Sequence, residues 1–336
     1  MNDAYEPLEE KQPSLLREPT TLAAALALAL AYFLGFYLLI FAGSGSGSDG
    51  SDAFLTFAFL IGGPAAAAAI AVRVSDPRGE ASGAQHAGLG LVVAGLILGG
   101  GILLFGEGGL CTVMAAPFFI PCAVIAAVWT GRLCRRRGGR LSATVLPLLP
   151  LLVLQAEAEM EHPIAVETVV DSVVIDAAPA AIWAQLVEVR HIRPDELGWT
   201  FTQDVAGVPK PLDAALDRPG VGGVRHVRWG GGIRFGEEVT RWDEGRYLSW
   251  RFRFDENSIP AHVEQHVRVD RDYLSVDTGS YRLEPLPGGR TRLTLTTRYR
   301  LATGLNGYAA WWGRRMIGDF HRNVLKVIAG RAARRA

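Results

Sequence analysis

The chain has 336 residues, enough for about two domains, and its 34 basic and 34 acidic side chains cancel to zero formal charge. That balance gives no argument for nucleic acid as a partner. The three cysteines, Cys111, Cys122 and Cys134, all lie in or beside the apolar N-terminal half, so no disulfide framework is implied for the rest.

The two halves differ sharply. Up to about Leu154 the sequence is rich in Ala, Leu and Gly; beyond Glu157 charges and alternating patterns take over. About twenty polar residues precede the first apolar run, which argues against a signal peptide and makes residues 1–20 a polar tail. Four runs then read as membrane spans, at about 21–42, 53–72, 88–105 and 110–130, each near the length that crosses a hydrocarbon layer of roughly 30 Å. Glycine in the third and prolines in the fourth are tolerated in membrane helices, where neighbours approach closely and re-satisfy freed backbone groups.

Arg and Lys collect in alternate loops: Lys11 and Arg17 before the first span, Arg73 and Arg78 after the second, and Arg132 to Arg140 after the fourth. This predicts a cytoplasmic N-terminus. The GSGSGS stretch after the first span reads as a flexible linker. A shorter apolar run, 141–156, carries Pro147 and Pro150 and separates the basic cluster from Glu157, Glu159 and Glu161. The charge step favours a fifth crossing with the C-terminal half outside the cytoplasm; an interfacial helix is the alternative. The membrane domain is thus expected over 21–156.

From Thr168 the periodicity becomes two. A strand leads to a turn at Ala178-Pro179 and a helix opened by that proline. Residues 188–219, with Pro194, Pro209, Pro211 and Pro219, read as helix, turn and loop. Strands are predicted at 220–229, 233–242, 246–254, around 263–276, 279–286 and 291–301, punctuated by glycine-rich hairpin turns. Leu248, Trp250, Phe252 and Phe254 share one face, as do Leu293, Leu295, Thr297 and Tyr299, so the antiparallel sheet has one apolar side. A final helix over about 306–333 repeats Tyr308, Trp312, Met316, Phe320, Val324 and Val327 along one face and would cover that side.

The segments SVVIDAAPAAIWAQL, GVGGVR, GEEVTRW, GRYLSWRF and GSYRLEPLPGGRTRLTLTTRY, in that order before a long helix, resemble the helix-grip domain of the START-like (SRPBCC) superfamily, which includes polyketide cyclase and dehydrase-like proteins. With EGGLCTVMAAPFFIPC and GDFHRNVLKVI, the whole chain is similar to bacterial membrane SRPBCC proteins with several N-terminal spans. The resemblance implies an α+β helix-grip domain over 163–334, a curved antiparallel sheet around a long C-terminal helix, following the multi-span helical membrane domain. It also implies a cavity for a hydrophobic or amphipathic ligand.

The residues themselves offer little catalytic signal. No nucleophile elbow, phosphate loop or dinucleotide fingerprint occurs in a credible context. His262, Glu264 and His266 have a metal-like spacing, but a solvated strand face explains it, and neither metal nor cofactor is expected. Arg225 shares strand parity with Val227 and Trp229, and Glu237 with Phe235 and Val239, which puts an Arg and a carboxylate on neighbouring strands facing the interior. Such a pair can be a structural ion pair, an anchor for a ligand headgroup, or a general acid-base site. The candidate cavity residues are Arg225, Trp229, Glu237, Trp250, Phe252, Tyr281, Tyr299, Trp312 and Phe320, mostly aromatic, which suits an apolar ligand such as a lipid or isoprenoid. His321 reads as a packing or surface histidine, with docking onto the membrane part as a further option, and the closing GRAARR could touch lipid headgroups. A membrane-anchored binding protein is the expected function; a cyclase or dehydrase using Glu237 with Arg225, and a ligand-free interaction module, are the alternatives.

Overall fold

The computed structural model describes residues 18–43, 56–105, 109–137, 148–264, 269–271 and 273–334. The chain forms two compact units: residues 1–104 with 115–160, and residues 105–114 with 161–336.

α1 runs Pro19–Gly43, a π-helical turn Ala58–Gly62 leads into α2 (Gly63–Ser75), and α3 (Gly83–Phe105) and α4 (Gly109–Arg137) follow; the first unit takes α4 from Ala115 onward. Four helical stretches, Pro19–Ile40, Ala58–Ser75, Gly83–Leu104 and Gly109–Arg136, are long and apolar enough to cross a membrane. Their outer faces carry exposed Leu28, Leu38, Leu103 and Ile125, which water would penalise and lipid would not. The prolines of α4, Pro117 and Pro121, lie inside a continuous helix. The predicted fifth run is seen only as α5 (Leu149–Ala158); residues 141–147 lie outside the described residues. Pro150 of α5 packs on Gly62, where a side chain would collide with it.

The second unit begins with β1 (Ala165–Ile175) and α6 (Pro179–Leu186), whose proline occupies the first turn, where no intrahelical N–H is lost. A short helix, α7 (Phe201–Asp204), is capped by the Thr200 hydroxyl accepting from the Gln203 N–H. Strands β2 (Pro211–Leu216), β3 (Val224–Trp229), β4 (Arg234–Asp243), β5 (Tyr247–Arg253), β6 (Asp270–Arg271), β7 (Leu274–Leu286) and β8 (Arg290–Leu301) precede α8 (Asn306–Ala333). They form one antiparallel sheet in the order β1-β8-β7-β5-β4-β3-β2, with β6 paired to β7. Register shifts at Pro211/Asp213, Val239/Arg241 and Val276/Thr278 curl the sheet. Gly288 and Gly289, with φ of 79° and 74°, close the β7–β8 hairpin in the left-handed region that other residues resist. Leu248, Leu293, Leu295, Leu325 and Ile328 join in a core between the inner face of the sheet, α6 and α8. This half is a helix-grip fold.

Two strand expectations need correction. Residues 211–216, read as loop because of their prolines, form the terminal strand β2, and Pro211 occupies its first position, where a missing N–H costs no ladder bond. The strand expected around 263–276 does not form as drawn. Residues 261–263 turn, residues 265–268 and 272 lie outside the described residues, and Leu274–Leu286 is one continuous strand through Gly279. Glycine interrupts a sequence pattern there without interrupting the ladder.

Candidate functional site

Inside the curl of the sheet, beneath α8, lies a cavity of about 290 Å³, at the small end of the roughly 300–1,000 Å³ typical of ligand sites. Trp229, Trp250, Phe252, Tyr281 and Phe320 line it, as do Arg225 and Glu237. The aromatic wall is continuous: Trp229 meets Phe320 edge-on at 4.7 Å, and Trp250 lies 5.0 Å from Tyr281 and 6.1 Å from Phe252. The Trp250 indole covers Gly279 of β7 so closely that a Cβ there would overlap the ring.

Arg225 and Glu237 are directly opposite one another on β3 and β4. Both are buried, with Arg225 Nη1 3.3 Å from Glu237 Oε2. The alignment is poor for a hydrogen bond: Arg225 Nε and Nη1 and Glu237 Oε2 have no hydrogen-bond partner among the described residues. The guanidinium sits 5.1 Å from the Trp250 ring centre and 5.8 Å from that of Tyr281, whose hydroxyl also hydrogen-bonds it. Burial pushes the Glu237 carboxyl above the usual carboxylate range, against the pull of Arg225. Burial likewise pushes the Tyr281 phenol up to about 12. The arrangement can hold a polar oxygen of a ligand beside two free guanidinium donors, or move a proton through Glu237.

Two expected residues lie elsewhere. Tyr299 packs on Gly313 of α8 and donates its hydroxyl to the Ala310 carbonyl at 3.1 Å, so its ring fills the joint between β8 and α8. Trp312 belongs to a separate aromatic group with Phe201 and Trp311, at 6.1 and 4.9 Å. Both are buried, but neither lines the cavity. His321 does line it, buried to 3% exposure, instead of standing on a surface or docking face. Its ring nitrogens meet Thr297 and Asp171. Phe235, Leu295, Thr297 and Val324 also face the cavity. For the three on strands the signal was available, because each shares inward parity with residues already identified. His321 gave none, since its polar partners are distant in sequence. His262 and Glu264 precede His266, which lies outside the described residues; among the described residues no cluster could hold a metal ion.

No family model matches the chain, and no curated protein matches it by sequence. Among solved structures it is similar to the ZhuI aromatase/cyclase from Streptomyces sp. R1128, at 19% identity over 51% of this chain and 96% of that one, with a TM-score of 0.30. It is also similar to Ara h 8.0201, at 14% identity over 50% and 98%, with a TM-score of 0.32. A third is protein MLL2253 from Mesorhizobium loti, at 15% identity over 48% and 96%, with a TM-score of 0.31.

Proposed function

We propose that the helix-grip half binds an apolar or amphipathic small molecule, a lipid or isoprenoid drawn from the membrane that the N-terminal helices cross. The observation that carries this reading is an aromatic cavity holding one ion pair whose Arg225 Nε and Nη1 and Glu237 Oε2 lack hydrogen bonds among the described residues. Buried polar atoms without partners are costly; a ligand oxygen that accepts from Arg225, or a hydroxyl that also donates to Glu237, would relieve that cost. Tethering such a cavity to the membrane raises the effective concentration of a bilayer ligand. Native mass spectrometry of the gently extracted full-length protein tests it: a bound species of one defined mass is expected, and a clean apo mass would contradict the reading.

The raised carboxyl of Glu237 favours a second reading, acid-base chemistry of the cyclase or dehydrase type. Glu237→Gln separates the two. A binding protein keeps most of its ligand occupancy, whereas an enzyme binds substrate and stops converting it.

Contacts within the first unit support a fifth crossing and an extracytoplasmic C-terminal half. Arg135, near the end of α4, donates from Nε and Nη2 to the Gly79 and Ala81 carbonyls, both at 2.7 Å, so it lies at the α2–α3 connection. Glu157, at the end of α5, accepts from the Phe57 and Ala58 N–H groups at 2.7 and 2.9 Å, at the start of the Ala58–Ser75 helical stretch. These two places are the opposite ends of an 18-residue span, roughly 27 Å as helix. Arg135 and Glu157 therefore lie at opposite ends of that span, which supports a crossing between them. Since the Arg73 and Arg78 side is cytoplasmic by charge, Glu157 emerges outside. A reporter fused after Arg334 that is active only outside the cytoplasm is the expected result; cytoplasmic activity would sink this placement.

A further inference from the structure

Thr297 pairs with Gly279 of β7 and Val169 of β1, and its side chain faces the cavity beside His321. Its Oγ1 lies 2.8 Å from His321 Nε2, and His321 Nδ1 lies 2.8 Å from Asp171 Oδ2. β8, α8 and β1 thus each supply one member of a chain of hydrogen bonds. A carboxylate only accepts, so the proton between His321 and Asp171 belongs to Nδ1. Nε2 of a neutral imidazole is then a lone pair, and Thr297 must donate to it. Burial holds His321 below its ordinary pKa despite the Asp171 carboxylate, which keeps the ring neutral at neutral pH. A hydroxyl has a single proton, and Thr297 has committed it to His321. What its oxygen offers the cavity is acceptor capacity alone.

The Arg225 region is mostly of the opposite sense. Arg225 Nε and Nη1 and Trp250 Nε1 are three buried donors without a hydrogen bond among the described residues, beside one such acceptor, Glu237 Oε2. The Trp250 ring covers Gly279, the cross-strand neighbour of Thr297, and Arg225 lies 5.1 Å from the same ring, so the indole borders both polar places.

We infer that the cavity selects a hydroxylated amphiphile: a carboxylate or carbonyl accepts from Arg225 and Trp250, an apolar body lies along the aromatic wall, and a hydroxyl donates to Thr297. This rests on the ligand-binding reading above and narrows it to a ligand class. An ether or hydrocarbon at the same place leaves the Thr297 lone pairs unmatched, which favours the hydroxyl by about tenfold, the worth of one good hydrogen bond.

The test is competition in native mass spectrometry of the full-length protein, with a series of ω-hydroxy fatty acids against their ω-methoxy counterparts at equal concentration. Wild type is expected to retain the hydroxy acid over the methoxy acid by about tenfold at the favoured chain length. Thr297→Ser, which keeps the hydroxyl and its bond to His321, should retain that preference. Thr297→Val should bind both equally. The wild-type comparison needs no variant, so a Val form that failed to fold would leave the test standing. Equal occupancy in wild type overturns the inference while leaving ligand binding intact. Failure of hydroxy, methoxy and unsubstituted acids alike to bind overturns both.

Discussion

Arg225 and Glu237 face one another across β3 and β4, both buried. Removing one partner is costly because the other stays buried without its counter-charge. Arg225→Met should therefore destabilise the protein by about 3 kcal/mol, whereas the double variant Arg225→Met with Glu237→Gln should recover most of that loss; thermal melts of both decide it. Glu196 is an acid-sensitive residue held by Arg331 near the C-terminal end of α8. Arg331 hydrogen-bonds it at 2.7 Å from α8 and holds its carboxyl down from 4.5 to about 2. A depressed folded-state value means the contribution is complete above pH 4.5 and lost as pH falls through about 2. The difference in melting temperature between wild type and Glu196→Gln should accordingly be largest near neutral pH and vanish toward pH 2.

Among the elements, β7 and α5 are the most exposed to single changes. Gly279 lets the Trp250 indole lie flat on β7, so Gly279→Ala must displace that ring. Overpacking of this kind costs about 1–3 kcal/mol; a lower melting temperature together with loss of ligand is expected. Normal ligand occupancy in that variant would show that the ring does not shape the cavity. Glu157 carries both N–H groups at the start of the α2 stretch. Glu157→Ala leaves them without that acceptor, and a destabilisation of about 1–3 kcal/mol is expected in melts of the extracted protein. Most elements were legible because their periods were clean. The alternation Thr291, Leu293, Leu295, Thr297, Tyr299 is the buried face of β8, and the glycine pairs mark its hairpin. Strand β2 was not legible, because a proline at the head of an edge strand looks the same in sequence as a proline in a loop.

At the scale of the whole molecule, parity placed Arg225 and Glu237 on one inward face, but it could not show that their bond is misaligned, which depends on side-chain geometry. Parity also assigned Tyr299 inward without saying that it meets α8 instead of the cavity. The buried polar residues Asp319, His321 and Asn323 on α8 escaped the apolar pattern altogether, since their partners Thr202, Thr297, Asp171 and Gly198 are distant in sequence. The central claim is that the space between sheet and α8 is occupied by a hydrophobic ligand. Val324 faces that space from α8, so Val324→Trp should fill it. Native mass spectra of wild type and this variant, extracted side by side, test the claim most directly. A bound species of defined mass in wild type, absent from a folded Val324→Trp protein, is the result the account predicts. The same bound mass in both, or none in wild type, would contradict it.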